Sequence, residues 1–125
     1  MKPLPDKKGV LLQEPEYFGA QCFSAEAVAR FPELAARLVC DAGQIHLQMG
    51  ALASVARDAI ESDDFALASR LFAFLSDTLA RERLHHEVEN AIAISFLEPS
   101  EFEQPGRWRE ALRLLPETLK RVLRA

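Results

Sequence analysis

Residues 64–83 read DFALASRLFAFLSDTLARER, and this stretch decides the fold class. Its apolar side chains recur every three or four positions, which is the spacing of one buried helix face. The members of this stripe are Phe65, Ala68, Leu71, Phe72, Leu75 and Leu79. Asp63 or Asp64 can cap the start of the helix with a side-chain oxygen. We therefore predict an amphipathic helix from about Asp64 to Arg83.

The segments on either side of this helix carry further helical patterns. Upstream, residues 44–61 place one apolar stripe at Ile45, Met49, Leu52, Val55, Ala56 and Ile60. Downstream, residues 84–97 end in the run AIAISFL, which is apolar on nearly every side. Because a helix that is apolar all round is buried all round, we expect this run to be the central element. Asn90 lies at its start and is expected to be hydrogen-bonded inside the protein.

Proline and glycine set the remaining boundaries. Residues 1–23 are expected to form an extended lead-in, with Ser24 as a helix N-cap. A short turn is predicted over residues 25–30. A proper helix is then expected from Pro32 to about Asp41, because proline is tolerated at the first helical position. Gly43 is the predicted stop signal.

The C-terminal part of the chain follows the same logic. Residues 98–106 are polar and contain two prolines, so they predict a loop. The last helix should begin near Arg107, and Pro116 should kink or restart it. The whole pattern predicts an all-α fold of five to six antiparallel helices, as a compact bundle or a short stack of αα-hairpins. The single helical domain is expected to cover residues 24–125.

Charge is distributed unevenly along the chain. The formal net charge is −4, but residues 61–105 hold 10 acidic and only 3 basic side chains, while residues 106–125 hold 6 basic and 2 acidic. Because phosphate binding needs a positive surface, the acidic middle argues against a nucleic-acid partner. It suits a protein partner with a basic surface.

No targeting or membrane-spanning segment is expected. The apolar run behind the charged start is only three residues long, Val10 to Leu12, and no stretch approaches the roughly 20 apolar residues of a membrane helix. Cys22 and Cys40 match neither a metal-binding spacing nor a disulfide framework. These features predict a soluble cytoplasmic protein with reduced thiols and no membrane partner.

Catalytic patterns are weak. The best metal candidate is Glu82-x-x-His85, but carboxylate-bridged metal sites in helical bundles need that motif twice, and it occurs once. Solvated charge is the favoured interpretation, with His85 and Glu89 as a surface pair four residues apart. The sequence has no Gly-x-Ser-x-Gly elbow and no glycine-rich phosphate loop. We expect neither enzyme activity nor a metal or cofactor.

Acidic clusters are the strongest binding candidates. One cluster lies at the turn between two predicted helices, and the other begins with a helical glutamate and continues into the polar loop. The predicted partner-binding residues are Asp58, Glu61, Asp63, Asp64, Glu87, Glu98, Glu101, Phe102 and Glu103. An exposed aromatic surrounded by charge is typical of a protein-binding anchor. The alternative is that Phe102 packs back on the last helix and the carboxylates are only solvated.

The last helix carries a basic face that permits two interpretations. Its members are Arg107, Arg109, Arg113, Lys120, Arg121 and Arg124. They could contact nucleic acid, but exposed aromatics do not alternate with them. We favour the interpretation that they offset the acidic middle of the same molecule.

Three stretches together resemble a known family. They are the FPEL motif at residues 31–34, a helical hairpin with Met49-Gly50 on its first arm and Asp63-Asp64-Phe65 at its turn, and the run VENAIAISFLE at residues 88–98. This pattern, over residues 28–100, resembles small helical bacterial proteins that are encoded near polymorphic toxins and thought to be their immunity proteins.

The resemblance implies a cytoplasmic antidote that binds its cognate toxin and occludes the toxin's active site or substrate surface, without catalysis of its own. It implies no particular binding residues. A generic helical adaptor or regulatory subunit without a toxin is the alternative, and a metalloenzyme based on Glu82 and His85 is a third. Oligomeric state stays open.

Overall fold

In a computed structural model, residues 17–97 and 106–124 are described. They form seven α-helices: α1 (Ala20–Arg30), α2 (Ala35–Val39), α3 (Ile45–Glu61), α4 (Phe65–Leu79), α5 (His86–Ala91), α6 (Arg107–Leu114) and α7 (Glu117–Arg124). A 3-10 turn (Pro32–Leu34) precedes α2, and a π-helical turn (Ile92–Leu97) continues α5. The predicted all-α class is confirmed, with more helices than the five to six expected.

Helix α4 begins as predicted and ends earlier. The side chain of Asp64 accepts a hydrogen bond from the Leu67 backbone N–H at 3.2 Å, so Asp64 is the N-cap. The helix stops at Leu79, four residues before the predicted end at Arg83. The reason is a contact with a distant part of the chain, because Phe18 and Leu84 form an isolated parallel β-bridge. Its two hydrogen bonds join the Phe18 backbone to the backbones of Arg83 and His85. Extended pairing there is incompatible with continuing the helix.

The expected start of the helical region at Ser24 is wrong. Helix α1 already begins at Ala20 and runs through residues 25–30, where only a short turn was predicted. Helix α2, expected to run from Pro32 to Asp41, is a 3-10 turn followed by five α-helical residues. The chain breaks at Phe31 (φ −131°, ψ 68°), as expected for a residue that precedes proline. Ser24 is a buried residue of α1 and caps nothing.

Helix α3 is the central element of the fold. It packs against α1, α2, α4, α5, α6 and the π-helical turn. Residues 91–97, predicted to be central and buried all round, instead present one side to solvent. Ile92, Phe96 and Leu97 are buried, but Ile94 is 46% exposed and Asn90 is exposed rather than bonded inside. The wider i→i+5 repeat of the π turn changes which residues face the core.

The core between α1 and α4 is aromatic. Phe74 contacts Phe23 (ring centroids 5.2 Å apart) and Phe31 (5.6 Å, edge to face). Two arginines cover the edge of this cluster, Arg30 over Phe74 and Arg70 over Phe31. Arg70 also bonds the Glu33 carboxylate at 2.7 Å, which lowers the pKa of Glu33.

The last two helices are separated at Pro116, which confirms the predicted restart. Leu115 is extended (ψ 123°), and α7 begins at Glu117. Trp108, Ala111, Leu115 and Leu119 are buried. A hydrogen bond of 2.6 Å between the Ser76 and Thr118 hydroxyls joins α7 to α4.

Candidate protein-binding surface

The predicted binding residues separate into three groups. Asp58, Glu61, Asp63 and Asp64 lie together at the end of α3 and the turn into α4, and all four are exposed. Glu87 belongs to the first turn of α5. Glu98, Glu101, Phe102 and Glu103 lie outside the described residues.

Two carboxylates of the turn have structural roles. Asp63 has a left-handed backbone (φ 65°), and its Oδ1 accepts a hydrogen bond from Arg107 Nε at 2.7 Å. This bond and the charge of Asp63 raise the pKa of Arg107, with a smaller contribution from Glu61. Asp64 caps α4. Arg107, at the basic start of α6, therefore offsets part of the negative charge of the acidic cluster within the same molecule.

Glu87 holds two helices together. Its Oε2 accepts a hydrogen bond from the Ala20 backbone N–H at 3.2 Å, at the start of α1. Gly19 allows this approach, because a Cβ there would lie 3.1 Å from the same oxygen. Glu87 is therefore engaged in the fold, at a position distinct from the α3–α4 turn.

Asp58 and Glu61 are also exposed, but within the described ranges they form neither a salt bridge nor a capping bond, although the charge of Glu61 acts on Arg107. They continue a stripe along the outer face of α3. The stripe consists of Leu47, Gly50, Ser54, Asp58 and Glu61, spaced by three and four residues. It spans about 21 Å at 1.5 Å of rise per residue.

The N-terminal end of this stripe is apolar. Leu47 is 58% exposed although it is a large hydrophobic residue. His46 Nδ1 and Ser95 Oγ form a hydrogen bond of 2.6 Å, which joins α3 to the π-helical turn and places Ile94 at the same end. We name the stripe together with Ile94 the α3 surface. It combines exposed apolar side chains at one end with carboxylates at the other.

Sequence reasoning identified the acidic end of the α3 surface and missed the apolar end. Ile94 was expected inside, and its exposure depends on the π turn. The exposure of Leu47 could have been predicted, because Leu47 is a large apolar residue outside the buried stripe of its own helix.

The metal and thiol candidates of the sequence lie at separate places in the described residues. They contain no group of three or more His, Cys, Asp or Glu side chains that could hold a metal ion. Glu82 and His85 lie in the connection between α4 and α5 and not on one helix, and the charged neighbour of His85 is Glu87 rather than Glu89. Cys22 is half-buried, Cys40 is exposed, and both are free thiols.

One open cleft adjoins the start of α5. It has a volume of about 340 Å³ and is lined by Tyr17, Leu84, His85 and His86. Within the part of the chain that is described, no helix has the length and apolar character needed to cross a membrane.

Fold and surface together describe an all-helical protein with an exposed face of mixed apolar and acidic character. Residues 24–125 match a family described as a domain of unknown function (DUF7674), and the chain belongs to that family. No curated protein and no solved structure matches the chain.

Proposed function

We propose that this protein is an inhibitor that binds a cognate bacterial toxin and neutralises it by occluding its active site or substrate surface. The observation that carries the proposal is the α3 surface, where Leu47 of α3 and Ile94 of the π-helical turn are exposed at one end and the carboxylates of Asp58 and Glu61 at the other. The likeness of residues 28–100 to immunity proteins supports a toxin as the partner. The cytoplasm is the proposed site of action.

The apolar end of the α3 surface would supply binding energy. Leu47 and Ile94 are large, exposed and adjacent to the His46–Ser95 hydrogen bond. Because that bond joins two helices, it fixes the spacing of the apolar side chains before a partner arrives. Side chains that are already ordered lose less conformational freedom on binding.

The acidic end would steer the partner. Asp58 and Glu61 are exposed carboxylates that form no salt bridge within the described ranges, so they can attract a basic surface. Glu98, Glu101 and Glu103 follow the π turn in the sequence and add to the predicted negative charge, with Phe102 as the predicted aromatic contact. Electrostatic attraction of this kind raises association rates more than it raises affinity.

A helical adaptor that binds a partner other than a toxin is the second candidate. The α3 surface suits both functions equally, so the partner's identity separates them. The product of the adjacent gene is the first candidate partner, because an immunity protein is expected to be encoded beside the toxin that it neutralises.

Substitutions at the two ends of the α3 surface should have different kinetic effects. With the purified product of the adjacent toxin gene, Asp58→Lys should slow association about threefold to tenfold at low salt, and added salt should reduce this difference. Leu47→Ser should instead accelerate dissociation and weaken binding by about tenfold or more. Surface plasmon resonance measures both rates.

Glu82→Lys is the matched control for the charge change, because Glu82 is also exposed and lies in the α4–α5 connection. It should leave association within about twofold of the wild type. Equal slowing by Asp58→Lys and Glu82→Lys would contradict a specific role for the α3 surface. So would unchanged binding by Leu47→Ser.

A further inference from the structure

Helix α5 is capped by an imidazole. Nδ1 of His85, the N-cap residue, accepts a hydrogen bond from the backbone N–H of Glu87 at 3.1 Å. Ser, Thr, Asp and Asn are the usual residues at this position, and their oxygens accept over a wide pH range. An imidazole nitrogen accepts a hydrogen bond only while it carries no proton. The cap therefore requires a neutral His85.

The Glu87 carboxylate lies between His85 and α1. Its Oε2 accepts from the Ala20 N–H at 3.2 Å and lies 3.8 Å from His85 Nδ1. A proton on Nδ1 would turn this nitrogen from an acceptor into a charged donor. His85 would then lose the Glu87 backbone N–H, and its charged Nδ1–H would be attracted to the Glu87 carboxylate, which already accepts from the Ala20 N–H.

Two rings lie against the His85 imidazole. The His86 ring stacks on His85 at 4.5 Å between centroids, and the Tyr17 ring meets it edge to face at 6.4 Å. Two stacked imidazolium rings would repel each other. The charged side chains that adjoin His85 include Glu87 and, in the connection before it, Arg81, Glu82 and Arg83, of which Arg81 pairs with Glu26.

The chain immediately before α1 is attached at the same place. The Phe18 N–H donates to the Arg83 carbonyl at 2.6 Å, and the His85 N–H donates to the Phe18 carbonyl at 3.0 Å. Arg81 covers the Phe18 ring, with its guanidinium carbon 3.9 Å from the ring centroid. His85 thus contributes its backbone to the bridge and its side chain to the cap.

We propose that His85 is a pH-sensitive latch, which holds residues 17–20 against the start of α5 while it is neutral and loosens them when it is protonated. Imidazole is the side chain that ordinarily changes charge between about pH 5 and 8. Because the neutral form accepts the hydrogen bond, the contacts are complete at the higher pH and are lost as the pH falls.

Hydrogen exchange of three amides tests the latch. The Ala20, His85 and Glu87 N–H groups each donate one of the bonds involved. In the full chain, their NMR protection factors, each corrected for intrinsic exchange at the same pH, should fall about fivefold between pH 7.5 and pH 5.5. Amides in the middle of α4 should keep their protection, which separates local opening from global unfolding.

His85→Asn supplies the decisive comparison, because an asparagine cap does not titrate. Its three amides should keep the same protection at both pH values, whereas His86→Asn should retain the wild-type fall. In the wild-type protein, the His85 ring and the Glu87 amide should also shift with a common titration midpoint. Constant wild-type protection, an equal fall in His85→Asn, or two separate midpoints would each overturn the proposal.

Discussion

Phe74→Ala should reduce the free energy of unfolding by about 3–5 kcal/mol, the typical cost of truncating a buried phenylalanine. Phe74 is 1% exposed and contacts Phe23 of α1 and Phe31, the residue that follows α1. Its ring therefore packs α4 against α1 and the start of the next turn. Removal of its ring would leave a cavity that these neighbours cannot fill without moving. Arg30 would also lose the ring that its guanidinium covers.

Urea unfolding followed by circular dichroism measures this loss, and the melting temperature should fall by about 10 °C or more. Phe65→Ala is the matched control, because it makes the same chemical change on the same helix at a half-buried position. The control should cost clearly less. Equal losses at the two positions would contradict the central place of Phe74 in the core.

Gln48→Leu should destabilise the protein by about 2–3 kcal/mol although leucine is close to glutamine in size. Gln48 is 0% exposed and lies on the buried side of α3. Its Oε1 accepts from the Ser24 hydroxyl at 2.6 Å, and its Nε2 donates to the Leu38 carbonyl at 2.8 Å. The substitution would remove two buried hydrogen bonds, each worth about 0.5–1.5 kcal/mol. The Leu38 carbonyl would keep only the Asp41 N–H (3.1 Å), and the Ser24 hydroxyl would keep only the Ala20 carbonyl (3.0 Å) as its acceptor.

Ser24 extends the same network to the turn before α3. Its Oγ also accepts from the Gly43 backbone N–H at 2.9 Å, where Gly43 adopts the left-handed conformation (φ 79°). One glutamine therefore connects α1, α2 and the entry to α3. Ser24→Ala combined with Gln48→Leu should cost less than the sum of the two single losses, because both changes remove the same bond.

Gln44→Leu is the control for Gln48→Leu. Gln44 lies one turn earlier, is exposed, and makes no side-chain capping bond. It should change stability by less than about 0.5 kcal/mol. A similar loss in both variants would show that the buried network does not stabilise the fold.

Helical periodicity predicted the elements that pack by their apolar stripes. Helices α3 and α4 and the break at Pro116 follow directly from spacing, capping and proline chemistry. The prediction was weaker where contacts between distant parts of the chain determine the backbone conformation. Ser24 resembles an N-cap in the sequence, but its hydroxyl bonds Gln48 and Gly43, which lie on other parts of the fold.

The candidate site could be predicted only in its charged half. A cluster of carboxylates at a turn is visible in the sequence, which predicts Asp58 and Glu61 as binding residues, and both are exposed on α3. The exposure of Ile94 could not be predicted, because composition does not indicate where an α-helix widens into a π turn. The roles of Asp63 and Glu87 depend on contacts with Arg107 and Ala20, which are distant in the chain.

The proposed function rests on binding and neutralisation of a toxin, and growth in a bacterial host tests it most directly. The product of the adjacent toxin gene is expressed from an inducible promoter, alone or together with this protein. We expect the toxin alone to stop growth, the wild-type protein to restore it, and a triple variant (Leu47→Ser, Asp58→Lys, Glu61→Lys) to restore it poorly at equal abundance. Growth arrest that the wild-type protein does not relieve would contradict toxin neutralisation, and full rescue by the triple variant would contradict the assignment of the α3 surface.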